Sequence, residues 1–259
     1  MYDLPPVGLG TMGLDGPTGA DAVATALDLG YRHLDTAQIY DNESVVGDGL
    51  AASSVPREDV LLATKVWADS LSPATTLRES VEASLDRLGV DAVDLLYVHR
   101  PIETYDPEVT LPVLDEFVDD GRVGAVGVSN FTVEELDEVR ELLDSPLGAH
   151  QTEYHPLFQR PKLVEHAREG GYPLVAYSPL AGGRVFDVPE LTDVAEKHDT
   201  TEAAVSIAWL AGLDVVVTIP KASSRAHLEA NLAAAELELD DEDVAAIEAI
   251  DREEELFPE

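Results

Sequence analysis

Four side chains form a candidate proton-transfer set: Asp35, Tyr40, Lys65 and His99. Delivering a hydride to a carbonyl carbon requires a proton for the oxygen. That proton must come from a group that is protonated at neutral pH yet acidic enough to give it up. A tyrosine has an ordinary pKa of about 10. A lysine ammonium about 4 Å away favours the phenolate by roughly 1–4 kcal/mol, or about one to three pKa units, depending on the local dielectric. In this scheme Lys65 acidifies Tyr40, Asp35 keeps the lysine charged and in place, and His99 orients the substrate oxygen. A donor so placed typically contributes about 10²–10⁴-fold in rate. Lys65 carries extra weight because the chain holds only four lysines, Lys65, Lys162, Lys197 and Lys221. A second chemistry is open to the same residues, with Lys65 or Lys221 as the Schiff-base amine of a barrel lyase. No metal site is expected: the seven histidines are scattered, and neither H-x-H nor H-E-x-x-H occurs.

Short apolar runs of strand character alternate with helical spacing along the whole chain. Candidate strands cover 7–11, 32–36, 60–66, 93–99, 123–129, 149–154, 173–178 and 215–220. Helical patterns cover 18–29, 43–53, 73–88, 109–120, 132–143, 162–168, 190–198 with 201–211, and 224–232, followed by 240–249. Runs such as VDLLYVH and DVVVTIP are apolar nearly throughout, as parallel strands buried on both faces are. Gly30, Gly89, Gly121 and Gly212 fall just past helical runs as stop signals, and Thr132 with Glu135 makes a capping-box pattern. Eight such units predict an α/β fold, a (β/α)8 TIM barrel, as a single domain over 1–259. Catalytic groups of such a barrel stand at the C-terminal ends of its strands. Asp35, Tyr40, Lys65, His99, Ser129, Asn130, Gln151, Tyr177, Ser178 and Lys221 all fall there.

A rival fold is a Rossmann domain, because residues 8–13 read G-L-G-T-M-G and Asp35 ends a strand about twenty residues later. That fingerprint needs a full strand before it and a helix opening on the third glycine. Pro5-Pro6 precede it, and Leu14-Asp15-Gly16-Pro17 follow, so a strand and turn at the barrel mouth is the better reading.

Composition narrows the setting. The chain has 259 residues, with 16 Lys+Arg against 52 Asp+Glu, a formal charge of −36, and no cysteine. Disulfides and thiolate chemistry are excluded. Nucleic-acid binding lacks its basic footprint. The start, MYDLPPVGLG, has no signal-peptide pattern, and no apolar run reaches the ~18–20 residues of a membrane span. At 45% hydrophobic the chain is folded rather than disordered, with an acidic shell. The acid clusters at 115–120, 134–144 and 236–255 read as solvated helix faces and tail, and Trp209 as core packing. The acid excess resembles that of cytoplasmic proteins from salt-accumulating microbes.

Several motifs occur in order: G-Y-R-H-L-D-T-A-Q-I-Y-D-N-E at 30–43, A-S-L-D-R-L-G-V-D-A-V-D-L-L-Y-V-H-R-P at 83–101, V-G-V-S-N-F at 126–131, Q-T-E-Y-H-P at 151–156 and I-P-K at 219–221. Together they make the chain similar to the aldo-keto reductase family of prokaryotic type over nearly its full length. The resemblance implies a (β/α)8 barrel that binds extended NADP(H) without a Rossmann motif and reduces aldehydes and ketones, with Tyr40 as general acid in the tetrad Asp35, Tyr40, Lys65 and His99. It places Thr11 and Asp35 beside the cofactor, Ser129, Asn130 and Gln151 on the nicotinamide carboxamide, and Tyr177 stacked on the nicotinamide. Ser178 and Leu180 belong to the loop crossing the pyrophosphate. Lys221, Ser223, Ser224, Arg225, His227 and Asn231 surround the adenosine phosphate, and Trp67 joins His99 in the substrate pocket.

The chain departs from the family pattern at several positions. Ala222 stands where Ser is usual, and His227 stands where Arg binds the 2′-phosphate. A neutral imidazole is the weaker phosphate partner, so NAD(H) use is expected beside NADP(H). Arg225 and helix amides capped by Ser223 or Ser224 offer compensation. Arg100 replaces a frequent Trp, His150 an Asn, and Ala230 an acidic or amide residue. The short ends predict no N-terminal hairpin plug, no long C-terminal substrate loop, and an open pocket. The expected partner is a small carbonyl compound, with no nucleic acid or membrane, and the expected state is a monomer. The rival role on the same barrel is a non-catalytic NAD(P)-binding redox-sensor subunit.

At ~1 M salt the Debye length falls to about 3 Å and most repulsion among the surface carboxylates disappears. The melting temperature is therefore expected to be higher in about 2 M KCl than in about 50 mM KCl. A higher value at low salt contradicts the reading.

Overall fold

A computed structural model describes residues 4–258. Eight parallel strands lie in sequence order: β1 Leu9–Gly10, β2 His33–Asp35, β3 Leu61–Val66, β4 Val93–Val98, β5 Val123–Ser129, β6 Ala149–Glu153, β7 Leu174–Tyr177 and β8 Val216–Thr218. A parallel bridge between Val7 and Thr218 closes β8 onto the first strand, with Gly8 N–H donating to Thr218 O at 2.8 Å and Thr218 N–H to Pro6 O at 3.0 Å. The fold is a (β/α)8 barrel. Helices α1 Gly16–Leu29, α2 Glu43–Ala52, α3 Ala74–Leu88, α4 Pro107–Asp119, α5 Val133–Leu142, α6 Pro161–Gly170, α7 Pro189–Lys197, α8 Glu202–Gly212 and α9 Arg225–Ala234 cover it, and α10 Asp241–Glu248 follows.

The helix signals act as expected at most joints. Gly30 and Gly89 cap α1 and α3 in the left-handed region, and the Thr132–Glu135 capping box starts α5. Gly212 departs from expectation. It is the last residue of α8, and the extended Leu213 ends that helix instead. β1 is two residues long rather than five; Val7 joins Thr218 only through an isolated bridge.

The glycines of the G-x-G-x-x-G stretch serve barrel closure, which overturns the Rossmann alternative. A Cβ on Gly10 would stand 2.6 Å from Ile219 O, and one on Gly8 2.6 Å from His33 Nδ1. No helix opens on Gly13; α1 begins at Gly16.

Two apolar cores result. A small one, inside the barrel, contains Ala63, Leu95, Tyr97, Ala125, Ala149, Val175, Val217 and Ile219, with Leu4 packed against it. The larger one lies between sheet and helices and includes Trp209, 2% exposed, edge-on to Tyr154. Two members of the acid clusters are not solvated, contrary to the composition-based expectation. Asp115 is buried and accepts the Asp144 and Ser145 N–H groups at 2.8 and 3.1 Å. Asp243 is buried against Lys197 and His198. Each is kept in the interior by full pairing. Among the described residues no helix is long and apolar enough to cross a membrane.

Candidate active site

Side chains alternate along a strand, so the residues that fill the barrel set which residue tops each strand. Ala63 leads to Lys65, Leu95 and Tyr97 to His99, Ala125 and Gly127 to Ser129, Ala149 to Gln151, Val175 to Tyr177, and Ile219 to Lys221. His33, in the same phase, leads to Asp35. The floor of the site is thus the continuation of the inner core. Above it lies a cleft of about 420 Å³ lined by Thr11, Asp35, Tyr40, Trp67, His99, Asn130, Gln151, Tyr177, Ser178 and Lys221. Gly10, Met12, Ile39, Arg100, Pro179, Ile219 and Phe257 complete its walls.

Lys65 is fully buried beneath this cleft. Its Nζ donates to Asp35 Oδ1 at 2.5 Å and to Thr36 O at 2.8 Å, and lies 5.3 Å from the centroid of the Tyr40 ring. The other oxygen of Asp35 accepts from Gln151 Nε2 at 2.7 Å. Burial works against the Lys65 ammonium, but Asp35 and Tyr40 outweigh it and raise its pKa. A charged, ion-paired amine is not a nucleophile, so Lys65 does not fit a Schiff-base role.

Tyr40 corrects an expectation. Burial pushes its phenol up, Lys65 pulls it down, and Asp35 pushes it up again. The net direction is upward, because desolvation of the phenolate exceeds the pull of an ammonium already neutralised by Asp35. Tyr40 therefore holds its proton at neutral pH. Both Tyr40 and Trp67 present T-shaped contacts to the His99 ring, with centroids 6.0 and 5.0 Å away. Burial, with Lys65 and Arg100, lowers the His99 pKa to about 2, so the imidazole is neutral.

Several positioning residues lie inside the 30–43 motif, which assigns roles only to Asp35 and Tyr40. The short 3-10 turn Gln38–Tyr40 carries Tyr40. Gln38 ties that turn to α3 through Ser80 and Ser84, and its Oε1 accepts the Trp67 N–H at 2.9 Å. Asn42, fully buried, donates to Thr11 O at 2.8 Å and Leu14 O at 3.1 Å and accepts from Thr36 Oγ1 at 3.1 Å. Glu43, also buried, accepts from Thr64 Oγ1 at 2.5 Å and Arg87 Nε at 2.8 Å.

The remaining candidates divide into two groups. Asn130, at φ 64°, spends both ends of its amide within the rim: Oδ1 accepts from the Tyr177 hydroxyl at 2.9 Å, while Nδ2 donates to His99 O and Ser129 Oγ, each at 3.0 Å. Thr11 Oγ1 donates to Asp35 O at 2.9 Å. Ser129, Leu180, Ser223, Ser224, Arg225, His227 and Asn231 do not line the cleft, and Ser129 is buried behind it. Ser224 caps α9, Arg225 pairs with Glu229 at 2.9 Å, His227 is exposed and Asn231 is buried. His150 Nε2 accepts the Phe131 N–H at 3.3 Å, and burial lowers its pKa to about 3. Among the described residues no cluster of His, Asp or Glu is suited to hold a metal ion.

The fold and this rim define a family. A model of the aldo/keto reductase family matches residues 6–252, and the chain belongs to that family. The chain is 38% identical over 251 residues to methylglyoxal reductase DkgB of Escherichia coli O157:H7, covering 96% of this chain and 93% of that protein. It is 35% identical to glyoxal reductase of Bacillus subtilis, covering 99% and 92%. Among solved structures it is similar to MGS-M4, an aldo-keto reductase enzyme from a Medee basin deep-sea metagenome library, at 31% identity and TM-score 0.94, covering 100% and 95%. The protein is therefore an oxidoreductase, which leaves the sensor alternative without support.

Burial also lowers His33 to about 4. His33, His99 and His150 all prefer the neutral form in the fold, while the unfolded chain takes up protons near pH 6.5. Their stabilising contribution is complete above that pH and is lost as pH falls toward their folded values. The imidazole C–H resonances of all three are expected to stay constant from pH 7.5 to 5, while unfolding free energy declines over the same interval. A midpoint near 6.5 for any of them contradicts the burial account.

Proposed function

We propose that this oxidoreductase reduces small aldehydes and ketones to alcohols with a nicotinamide cofactor, and that Tyr40 is the proton donor. The observation that carries the reading is the Tyr40 ring against His99 at the cleft, with Trp67 on the same imidazole, above the buried Lys65–Asp35 pair. The names of the two curated relatives, methylglyoxal and glyoxal reductases, point to short dicarbonyl aldehydes as the first substrates to try.

The residues present fit a nicotinamide. Gln151 commits one amide N–H to Asp35 and leaves its carbonyl oxygen to accept from a carboxamide N–H. Ser129 Oγ, buried behind the cleft, accepts from Asn130 and helps to hold that rim residue in place. The Tyr177 ring, held by its bond to Asn130, supplies a stacking face. A reduced nicotinamide supplies the hydride when bound. Tyr40 gives its proton to the substrate oxygen, and the Lys65 ammonium stabilises the charge that develops there and on the phenol. Asp35 keeps that ammonium fixed through Oδ1. Neutral His99 holds the carbonyl oxygen with its single N–H, and Trp67 walls the pocket. The helix amides at Ser224, with Lys221 and Arg225, suit the phosphate end, although Glu229 already engages Arg225.

We further propose NADP(H) with NAD(H) also accepted, a single domain over 1–259 acting as a cytoplasmic monomer, and the acidic shell as an adaptation to high salt.

The substitution Tyr40→Phe is expected to lower kcat by about 10²–10⁴-fold, with NADPH binding, followed by fluorescence titration, retained. A rate close to that of the unaltered enzyme removes Tyr40 as the acid. For cofactor choice, kcat/KM with NADPH is expected to exceed that with NADH by less than ~100-fold, since His227 replaces a forked guanidinium. A larger ratio shows that Lys221 and Arg225 suffice without it.

A further inference from the structure

We propose that Glu153 clasps the C-terminal tail across the cleft, and that the Phe257 it holds there sets the upper size of the carbonyl substrate. The size claim rests on the reductase reading above; the clasp does not. Glu153 is the last residue of β6 and only 3% exposed. Its Oε1 accepts the Leu256 N–H at 2.7 Å and its Oε2 the Phe257 N–H at 3.1 Å, so one carboxylate holds two consecutive tail amides. His155 Nε2 lies 2.9 Å from Oε1 and braces it. Burial pushes the Glu153 carboxyl up, but these hydrogen bonds bring it below its ordinary value, so the clasp is charged and its bonds are charge-assisted. Upstream, Glu254 N–H donates to Leu157 O at 2.8 Å, which fixes the approach of the tail.

The clasp sets the Phe257 ring 5.8 Å from the Tyr177 ring, in a T-shaped contact. Phe257 lines the 420 Å³ cleft on one side and, on the other, a cavity of about 620 Å³ over the starts of α5 and α6. Asn130, Tyr177 and Phe257 are the wall common to both spaces. Asn130 and Tyr177 are fixed to each other and to the strand ends; Phe257 is placed by the tail backbone. Removing its ring, or releasing the amides that aim it, joins the two spaces. Glu153 itself does not line the cleft, so it is a positioning residue. The expectation of an open pocket is revised accordingly: the segment after α10 reaches the cleft through Phe257.

The test compares the unaltered enzyme with Glu153→Gln, Phe257→Ala and the double variant. Gln keeps one acceptor and turns an N–H toward a tail amide, while Phe257 is 38% exposed and its loss leaves the core intact. Methylglyoxal is the small probe and 2-naphthaldehyde the large one, each with NADPH. Both single variants are expected to raise the kcat/KM ratio of large over small probe about tenfold. The change should come through KM for 2-naphthaldehyde, and in Glu153→Gln, whose side chain does not line the cleft, kcat for methylglyoxal should stay within about threefold. Because Glu153 acts through Phe257, the double variant should match Phe257→Ala rather than add to it. Amide exchange in the tail should accelerate in Glu153→Gln. A ratio within about twofold of the unaltered enzyme in Phe257→Ala, additive effects, or unchanged tail exchange overturns the proposal. If the unaltered enzyme reduces neither probe, the function reading and the size limit fall together, and the exchange result still decides the clasp.

Discussion

The buried ion pair between Lys65 and Asp35 is the constraint on which the site depends. Neither group reaches solvent, so each must be fully matched. Asp35 spends one oxygen on Lys65 and the other on Gln151, and Lys65 adds the carbonyl of Thr36. Three strands, β2, β3 and β6, are thereby tied together at the rim. Removing one partner of such a pair typically costs about 3–5 kcal/mol, because the other charge is left unpaired in a dry interior. The same geometry gives the site its chemistry: an ammonium beneath a phenol, held still by a carboxylate.

Charge is distributed with a sharp contrast between shell and rim. The chain carries −36 overall, yet the cleft holds a buried ammonium, two neutral histidines nearby and two cations on its walls, Arg100 and Lys221. The few internal carboxylates are each spent on a defined contact. Asp35 holds the lysine, Glu43 braces α2 against β3 and α3, Asp115 receives the start of the loop after α5, and Glu153 receives the tail. Acid residues thus have two separate uses in this molecule, solvation outside and anchoring within.

Much of the architecture is legible in the sequence. Near-continuous apolar runs marked parallel strands, and a polar residue at the end of each marked the rim, because the inner-face alternation forces the next inward position into the cleft. Asp35, Lys65, His99, Gln151 and Tyr177 follow from that pattern. What pattern could not show was the balance of opposing energies at one atom. The sign of the Tyr40 shift depends on how completely Asp35 neutralises Lys65 and how much of the phenol is desolvated. Nor could spacing separate a buried Asp115, Asn42 or Glu43 from solvated neighbours of the same type. The reach of the tail was hidden as well, since its anchor on Glu153 pairs residues about a hundred positions apart.

The central claim is that Lys65 lowers the phenol pKa of Tyr40 from what burial alone would impose, keeping it usable as an acid. The most direct measurement is a titration of the Tyr40 Cζ resonance in 13C-tyrosine-labelled protein, with and without Lys65→Met. The account predicts a higher Tyr40 pKa in the variant. An equal or lower value in the variant would contradict it.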